Sequence, residues 1–250
     1  MRWTQKAVSP LVLLLAWELA SRFAWLDPKL VPPPSLAILD IWELTVTGEL
    51  FVTLWASLRR VIAGFLIATV LGIVIGTLMA RVRLFENIFD PLVELIRPVS
   101  PLALFPLALL WFGIGDASKI FLITLACSFP VILNTYASVR GIDRALVLAG
   151  RSLGANHWEV FVRIVLPGSL PGIFTGVRLA WGIALIVIIA AEMIGAVAGI
   201  GYMILNAQQV FQIERVYSGI IIIGVLGFAT DLGFRRLRSW LMPWYREFRE

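Results

Sequence analysis

The feature that most constrains this chain is a series of long stretches without charge. Val61–Ala80 and Ile120–Val139 each run for 20 residues with no Asp, Glu, Lys or Arg. A helix of roughly that length spans the hydrocarbon core of a bilayer. Leu170–Ala191 is interrupted only by Arg178, and Val216–Phe234 only by Asp231. Pro98–Gly115 is charge-free and extends backwards through Leu92–Ile96. The apolar run Val8–Trp17 follows Arg2 and Lys6, as the middle of a signal peptide would. It lacks a small-x-small cleavage site, with Glu18 and Arg22 in its place, so an uncleaved first helix is expected. The expectation is an all-α, polytopic membrane protein of six transmembrane helices, forming one domain over residues 1–250.

Composition excludes the main soluble alternatives. Hydrophobic residues make up 60% of the chain and charged ones 15%, too little polar surface for a water-soluble domain. The single cysteine, Cys127, lies in an apolar run, cannot form an internal disulfide and reads as a small buried hydrophobe. A net charge of +5 is spread along the chain, mostly as arginine, which fits membrane orientation better than nucleic-acid binding.

Six spans place both termini on one side, and basic residues choose the side. With the N-terminus inside, the inner segments hold Arg2, Lys6, Arg81, Arg83, Arg140, Arg144, Arg151, Arg163, Arg235, Arg236, Arg238, Arg246 and Arg249. The outer segments hold only Arg22, Lys29, Arg59, Arg60, Lys119 and Arg215. Both termini and the loop over 140–168 are therefore expected in the cytosol. The segment 27–56 is expected outside, broken by Pro32-Pro33-Pro34 and continuing as an amphipathic helix capped by Ser35 and carrying Asp40 and Glu43. Met193–Ile213 is too rich in Asn and Gln for a span and reads as an outer loop with a short interfacial helix.

Two ladders of small residues recur every four positions: Gly64, Ala68, Gly72, Gly76 and Ala80, then Gly168, Gly172, Gly176 and Ala180. Lipid gives helices no hydrophobic reason to associate, so such faces serve close packing, within one subunit or at a dimer seam. The third span carries Pro98, Pro101 and Pro106, each without a backbone donor. Its freed carbonyls need protein or water, which makes this segment a candidate pore wall.

Polar and charged groups near the membrane nominate a pathway: Glu94, Arg97, Ser100, Arg178 and Glu192. Glu94 and Arg97 are three residues apart and share a helix face, close enough to neutralise each other. Arg97 and Arg178 fall in the cytosolic halves of their spans and would form a positive constriction for a small anion, or else each anchors a neighbouring helix. No lysine sits in a Gly-Lys-Ser/Thr loop, so no ATP is bound here by that motif. One histidine and one cysteine give no metal cluster or catalytic triad. No cofactor and no enzymatic activity are expected.

The stretch LAGRSLGANHWEVFVRIVLP, Leu148–Pro167, lies between two apolar spans and carries Arg151, His157, Glu159 and Arg163. Two short helices joined at Gly154-Ala155 would form a knob that a soluble partner can grip. The chain, most strongly from Ser57 to Trp244, resembles permeases of the nitrate/sulfonate/taurine branch of ABC importers. The resemblance is carried by RPVSPLALFPLALLWFGIGDASKIFL at Arg97–Leu122, LAGRSLGA at Leu148–Ala155, IVLPGSLPGIFTGVRLAWG at Ile164–Gly182 and AAEMIGAVAGIGYMILNA at Ala190–Ala207.

That resemblance implies the type I importer (MetI-like) fold, with core helices over 57–241 and an ATPase-coupling loop formed by Ala149, Gly150, Arg151, Ser152, Leu153, Gly154, Ala155, His157 and Glu159. It implies as partners two cytosolic ATP-binding subunits, an extracytoplasmic substrate-binding protein and a second permease copy, all in or at the inner membrane. The implied cargo is a small anion such as an alkanesulfonate or taurine, with nitrate, bicarbonate or a pyrimidine or vitamin precursor as alternatives. The family's coupling loop begins Glu-Ala-Ala; here Leu148 stands where the acid would be. Two other classes stay open: a stand-alone secondary carrier coupled through Glu94 or Glu192, which leaves the loop unexplained, and a membrane scaffold, which leaves the prolines unexplained.

Overall fold

A computed structural model describes residues 2–244 except 24, 26 and 28, and for residues 2–11 the backbone alone. Arg246 and Arg249 lie outside the described residues, as do the side chains of Arg2 and Lys6. The described residues form helices and no strands, in the order α1 (Arg2–Arg22), α2 (Pro34–Val46), α3 (Glu49–Arg81), α4 (Arg83–Ile96), α5 (Phe105–Phe112), α6 (Asp116–Arg140), α7 (Arg144–Ser152), α8 (His157–Val160), α9 (Leu166–Gly195), α10 (Ile200–Gln209) and α11 (Ile213–Leu241). A 3-10 turn, Pro101–Leu104, precedes α5, and a π turn, Phe161–Val165, joins α8 to α9.

Four helical stretches among the described residues are long and apolar enough to cross a bilayer: α3, α6, the continuous His157–Gly195 and α11. The expected third span is instead broken: α4 and the Pro101–Phe112 stretch meet at 90° and make a fifth crossing only if taken together. The prolines explain the break. Pro98 follows the end of α4, Pro101 opens the 3-10 turn and Pro106 sits in the first turn of α5, places where a missing N–H removes no helical bond.

The chain divides into two compact units, Met1–Leu58 with Glu192–Leu226, and Arg59–Ala191 with Gly227–Glu250. The second unit is built around α6. The α3 ladder faces it: a Cβ on Gly64 would lie 2.8 Å from Ile123, and one on Gly72 2.6 Å from Val131. The α9 ladder also faces it: a Cβ on Gly176 would lie 2.7 Å from Asn134, and one on Gly172 2.8 Å from the Ser138 Cβ. Both ladders are therefore seams inside one subunit, where absent side chains let helix backbones approach. Cys127 is fully buried between them, its thiol donating to the Ala180 carbonyl at 3.2 Å. Phe65 meets Trp181 and Phe234 edge-to-face, and the three rings cluster with centroids 5.0–6.4 Å apart.

The first unit is held differently. Ser35 does not cap α2; the helix begins at Pro34, and Pro33 at its N-cap supplies no side-chain bond. Glu18 on α1 supplies it from a distance, accepting from the Ser35 N–H at 3.1 Å and the Ser35 hydroxyl at 2.9 Å. The reason is local: proline fixes the chain entering α2 and pushes Ser35 inside the helix. On its buried face, α2 meets α11 through the Ser218 hydroxyl, which donates to the Ala37 carbonyl at 2.9 Å. The expected short helix of the Met193–Ile213 segment is α10, which buries Ile200, Met203, Ile204 and Ala207.

Candidate functional site

The knob between α6 and α9 is a pair of helix caps placed back to back. Asp143 caps α7, its carboxylate accepting from the Ala145 N–H at 2.8 Å. At the far end the Gly154 N–H donates to the Arg151 carbonyl at 2.9 Å, and the Ala155 N–H to the Gly150 carbonyl at 3.1 Å. These two bonds close α7 in a Schellman motif, which requires a left-handed residue, and Gly154 has φ +86°. One residue later α8 opens with a capping box. Asn156 accepts from the Glu159 N–H, and Glu159 accepts from the Asn156 N–H, each at 2.9 Å.

The knob has its own core. Val160 and Val165 are buried with Val139 at the end of α6, and Ile142, Val147 and Ile164 pack around them. Gly150 is buried because α7 lies against the π turn: a Cβ there would run into the Ile164 side chain. Arg81, ending α3, stands 5.0 Å over the Phe161 ring. Beside it, α4 is tied to α6 by Glu86, which takes a hydrogen bond from Tyr136 at 2.6 Å and pairs with Arg140.

Of the expected coupling residues, Ala149, Arg151, Ser152, Leu153, Gly154 and His157 are exposed, Ala155 and Glu159 half-buried and Gly150 buried. The tip is apolar: Leu153 is 88% exposed and Trp158 70%. Trp158 and the cap residue Asn156 are additions to the expected set. The Asn-x-x-Glu spacing ahead of an apolar run signals such a cap in sequence.

The expected pathway residues separate into distinct environments. Glu94, Arg97 and Ser100 are exposed at the proline break, and among the described residues no ion pair joins Glu94 to Arg97, against expectation. The helix ends at Ile96, which leaves Arg97 at its cap beside the bend. Arg178 on α9 donates to Asp231 on α11 at 2.7 Å, and the other Asp231 oxygen takes Arg235 at 2.5 Å. Arg178 thus ties α9 to α11, 53 residues from its partner. Glu192 is fully buried within the first unit and accepts from Ser57 and the Gly201 N–H. No group of metal-binding side chains occurs among the described residues.

Residues 68–242 match the family model described as binding-protein-dependent transport system inner membrane component. The chain is 36% identical over 246 residues to a permease protein named for aliphatic sulfonates transport from Bacillus subtilis (strain 168), covering 98% of this chain and 89% of that one. It is 37% identical over 243 residues to the taurine transport system permease protein of Escherichia coli (strain K12), covering 94% and 88%. In fold it resembles a chain of the inward-facing MetNI methionine ABC transporter, with TM-score 0.65 at 16% identity, covering 76% of this chain and 96% of that one.

Proposed function

The chain belongs to the inner-membrane components of binding-protein-dependent transport systems and is an ABC importer permease subunit; from that premise we propose that its cargo is a small sulfonate, taurine or an alkanesulfonate. Two copies form the channel, with α1 as the sixth span of each and both termini in the cytosol. Two separate ATP-binding subunits sit beneath and hydrolyse the ATP, while an extracytoplasmic binding protein delivers cargo to the segments around α2 and α10.

The observation that carries this reading is the capped knob. A loop that spends two helix caps on a fixed shape, then exposes Leu153 and Trp158 at its tip, fits a groove in a soluble partner. The acid missing at Leu148 is replaced as a contact by this apolar tip. Motion of the ATPase pair moves the knob, and the knob moves α6 and α3 through Val139 and the Arg81–Phe161 stack.

Cargo passes the break between α4 and α5. Arg97 is exposed there beside backbone that no continuous helix satisfies, and neither a charge nor broken backbone is stable against lipid. Facing water in the channel, its guanidinium meets the sulfonate, with Ser100 beside it. Arg178 and Glu192 hold helices in place.

The test is uptake into proteoliposomes holding the affinity-purified complex and its binding protein. Radiolabelled taurine or ethanesulfonate should enter with ATP, and Arg97→Gln should lower uptake per ATP hydrolysed. Uptake of nitrate or bicarbonate with no sulfonate uptake overturns the cargo, and unchanged uptake per ATP in Arg97→Gln removes Arg97 from the path.

A further inference from the structure

The first N–H groups of α10 find their partners on other helices. A helix leaves these donors unpaired internally, and Gly199 at the N-cap has no side chain to offer. The Ile200 N–H donates to Ser57 Oγ on α3 at 2.9 Å. The Gly201 N–H donates to Glu192 Oε2 on α9 at 3.0 Å. Ser57 then donates its own proton to the Glu192 carboxylate, with oxygens at 2.8 and 2.9 Å. Glu192 has no exposed surface and Ser57 3%. Negative charge at the positive end of a helix is favourable, and a charged acceptor strengthens each of these bonds. Gly199 has φ +128°, and a Cβ there would overlap the carboxylate, so only glycine lets the chain cross over Glu192.

What the clasp holds is a surface. With its apolar face buried, α10 presents Tyr202, Asn206 and Gln209 outward. Just beyond it Phe211 is 85% exposed with φ +59°, a conformation bulky residues rarely take. A polar stripe ended by a strained, exposed aromatic ring suits contact with a soluble protein.

We propose that Glu192, with Ser57, is a positioning residue that fixes α10 in the orientation read by the extracytoplasmic binding protein. The proposal rests on the importer function above, which places α10 outside. Being buried, Glu192 acts through the helix it caps.

The experiment uses the complete complex in nanodiscs with its binding protein. Glu192→Gln keeps the volume but turns one acceptor into a donor facing donors. Amide exchange at Ile200 and Gly201 should quicken, and the binding-protein concentration for half-maximal ATPase stimulation should rise about tenfold or more, with unstimulated hydrolysis unchanged. Ser57→Ala should shift the same curve less, and Ser57→Thr, which keeps the hydroxyl, should leave it near wild type. Faster exchange with an unshifted curve overturns the proposal, as does an unshifted curve in both Glu192→Gln and Ser57→Ala. An equal fall in basal and stimulated rates without a shift also overturns it, marking a merely structural residue. Should Glu192→Gln fail to insert, Ser57→Ala decides on the same readouts. A wild-type complex that no binding protein stimulates overturns the importer reading instead, and the exchange measurement still decides the clasp.

Discussion

The two units of this chain are held together by opposite means. In the unit built on α6, helices approach through missing side chains: the ladder glycines of α3 and α9 leave no room for a methyl group. In the unit containing α2 and α10, short helices are pinned by carboxylates reaching in from longer ones, Glu18 for α2 and Glu192 for α10. Close backbone approach suits elements surrounded by hydrocarbon, where neighbouring helices gain nothing from hydrophobicity. Clasped N–H groups suit short helices, which have too few internal bonds to stand alone.

The strongest way to break that comparison is to fill a glycine. Gly72→Leu forces a side chain into Val131, where a Cβ alone would sit 2.6 Å away. Overpacking of this kind costs about 1–3 kcal/mol. The melting temperature of the detergent-solubilised protein should fall more than for any variant below. An unchanged value would mean that α3 and α6 do not meet along this face.

Gly154 should give an intermediate effect from a different cause. A side chain there meets nothing within 4 Å, so space is not the issue. The left-handed backbone is, at about 1–2 kcal/mol for a residue other than glycine. Gly154→Val should leave the protein inserted but abolish stimulated ATP hydrolysis, whereas Gly154→Asn, which tolerates that conformation, should keep most of it. Equal rates in Gly154→Val and wild type would remove the loop from coupling.

The smallest effect belongs to the polar lock that Arg178 and Asp231 form between α9 and α11 in the glycine-packed unit. The Arg178 and Asp231 side chains are 40% and 30% exposed in the single chain, so their coupling should be below about 1 kcal/mol in a double-mutant cycle of Arg178→Gln and Asp231→Asn. Uptake per ATP should be unchanged in Arg178→Gln. A selective loss of uptake would return Arg178 to the pathway and make this pair more than an anchor.

Legibility in the sequence follows the range of each interaction. The four-residue spacing of the glycines was plain, but their partner was not, because Ile123, Val131 and Asn134 carry no periodic mark of their own. The knob's two short helices and their joint at Gly154 were legible, since its caps join residues two to five apart, but Asn156 and the π turn were not. The prolines announced a break but not its angle, which depends on how α5 settles against α6. The carboxylate clasps were illegible: Ser57 and Glu192 are 135 residues apart, and a glutamate at the edge of an apolar run looks alike whether it lines a channel or caps a helix. Ser35 was misjudged for a related reason, as its neighbouring prolines moved the helix start by two residues.

The π turn at Phe161–Val165 has a consequence of its own, one of rotational phase. A π turn holds one residue more than the α-helix it interrupts, and each residue of an α-helix advances by about 100°. The face that α8 shows to α7 is therefore set about a third of a revolution away from where an uninterrupted α9 would put it. Deleting Val162 would let the helix run true and turn Val160 out of the knob's core, leaving every cap intact but aiming the knob in another direction.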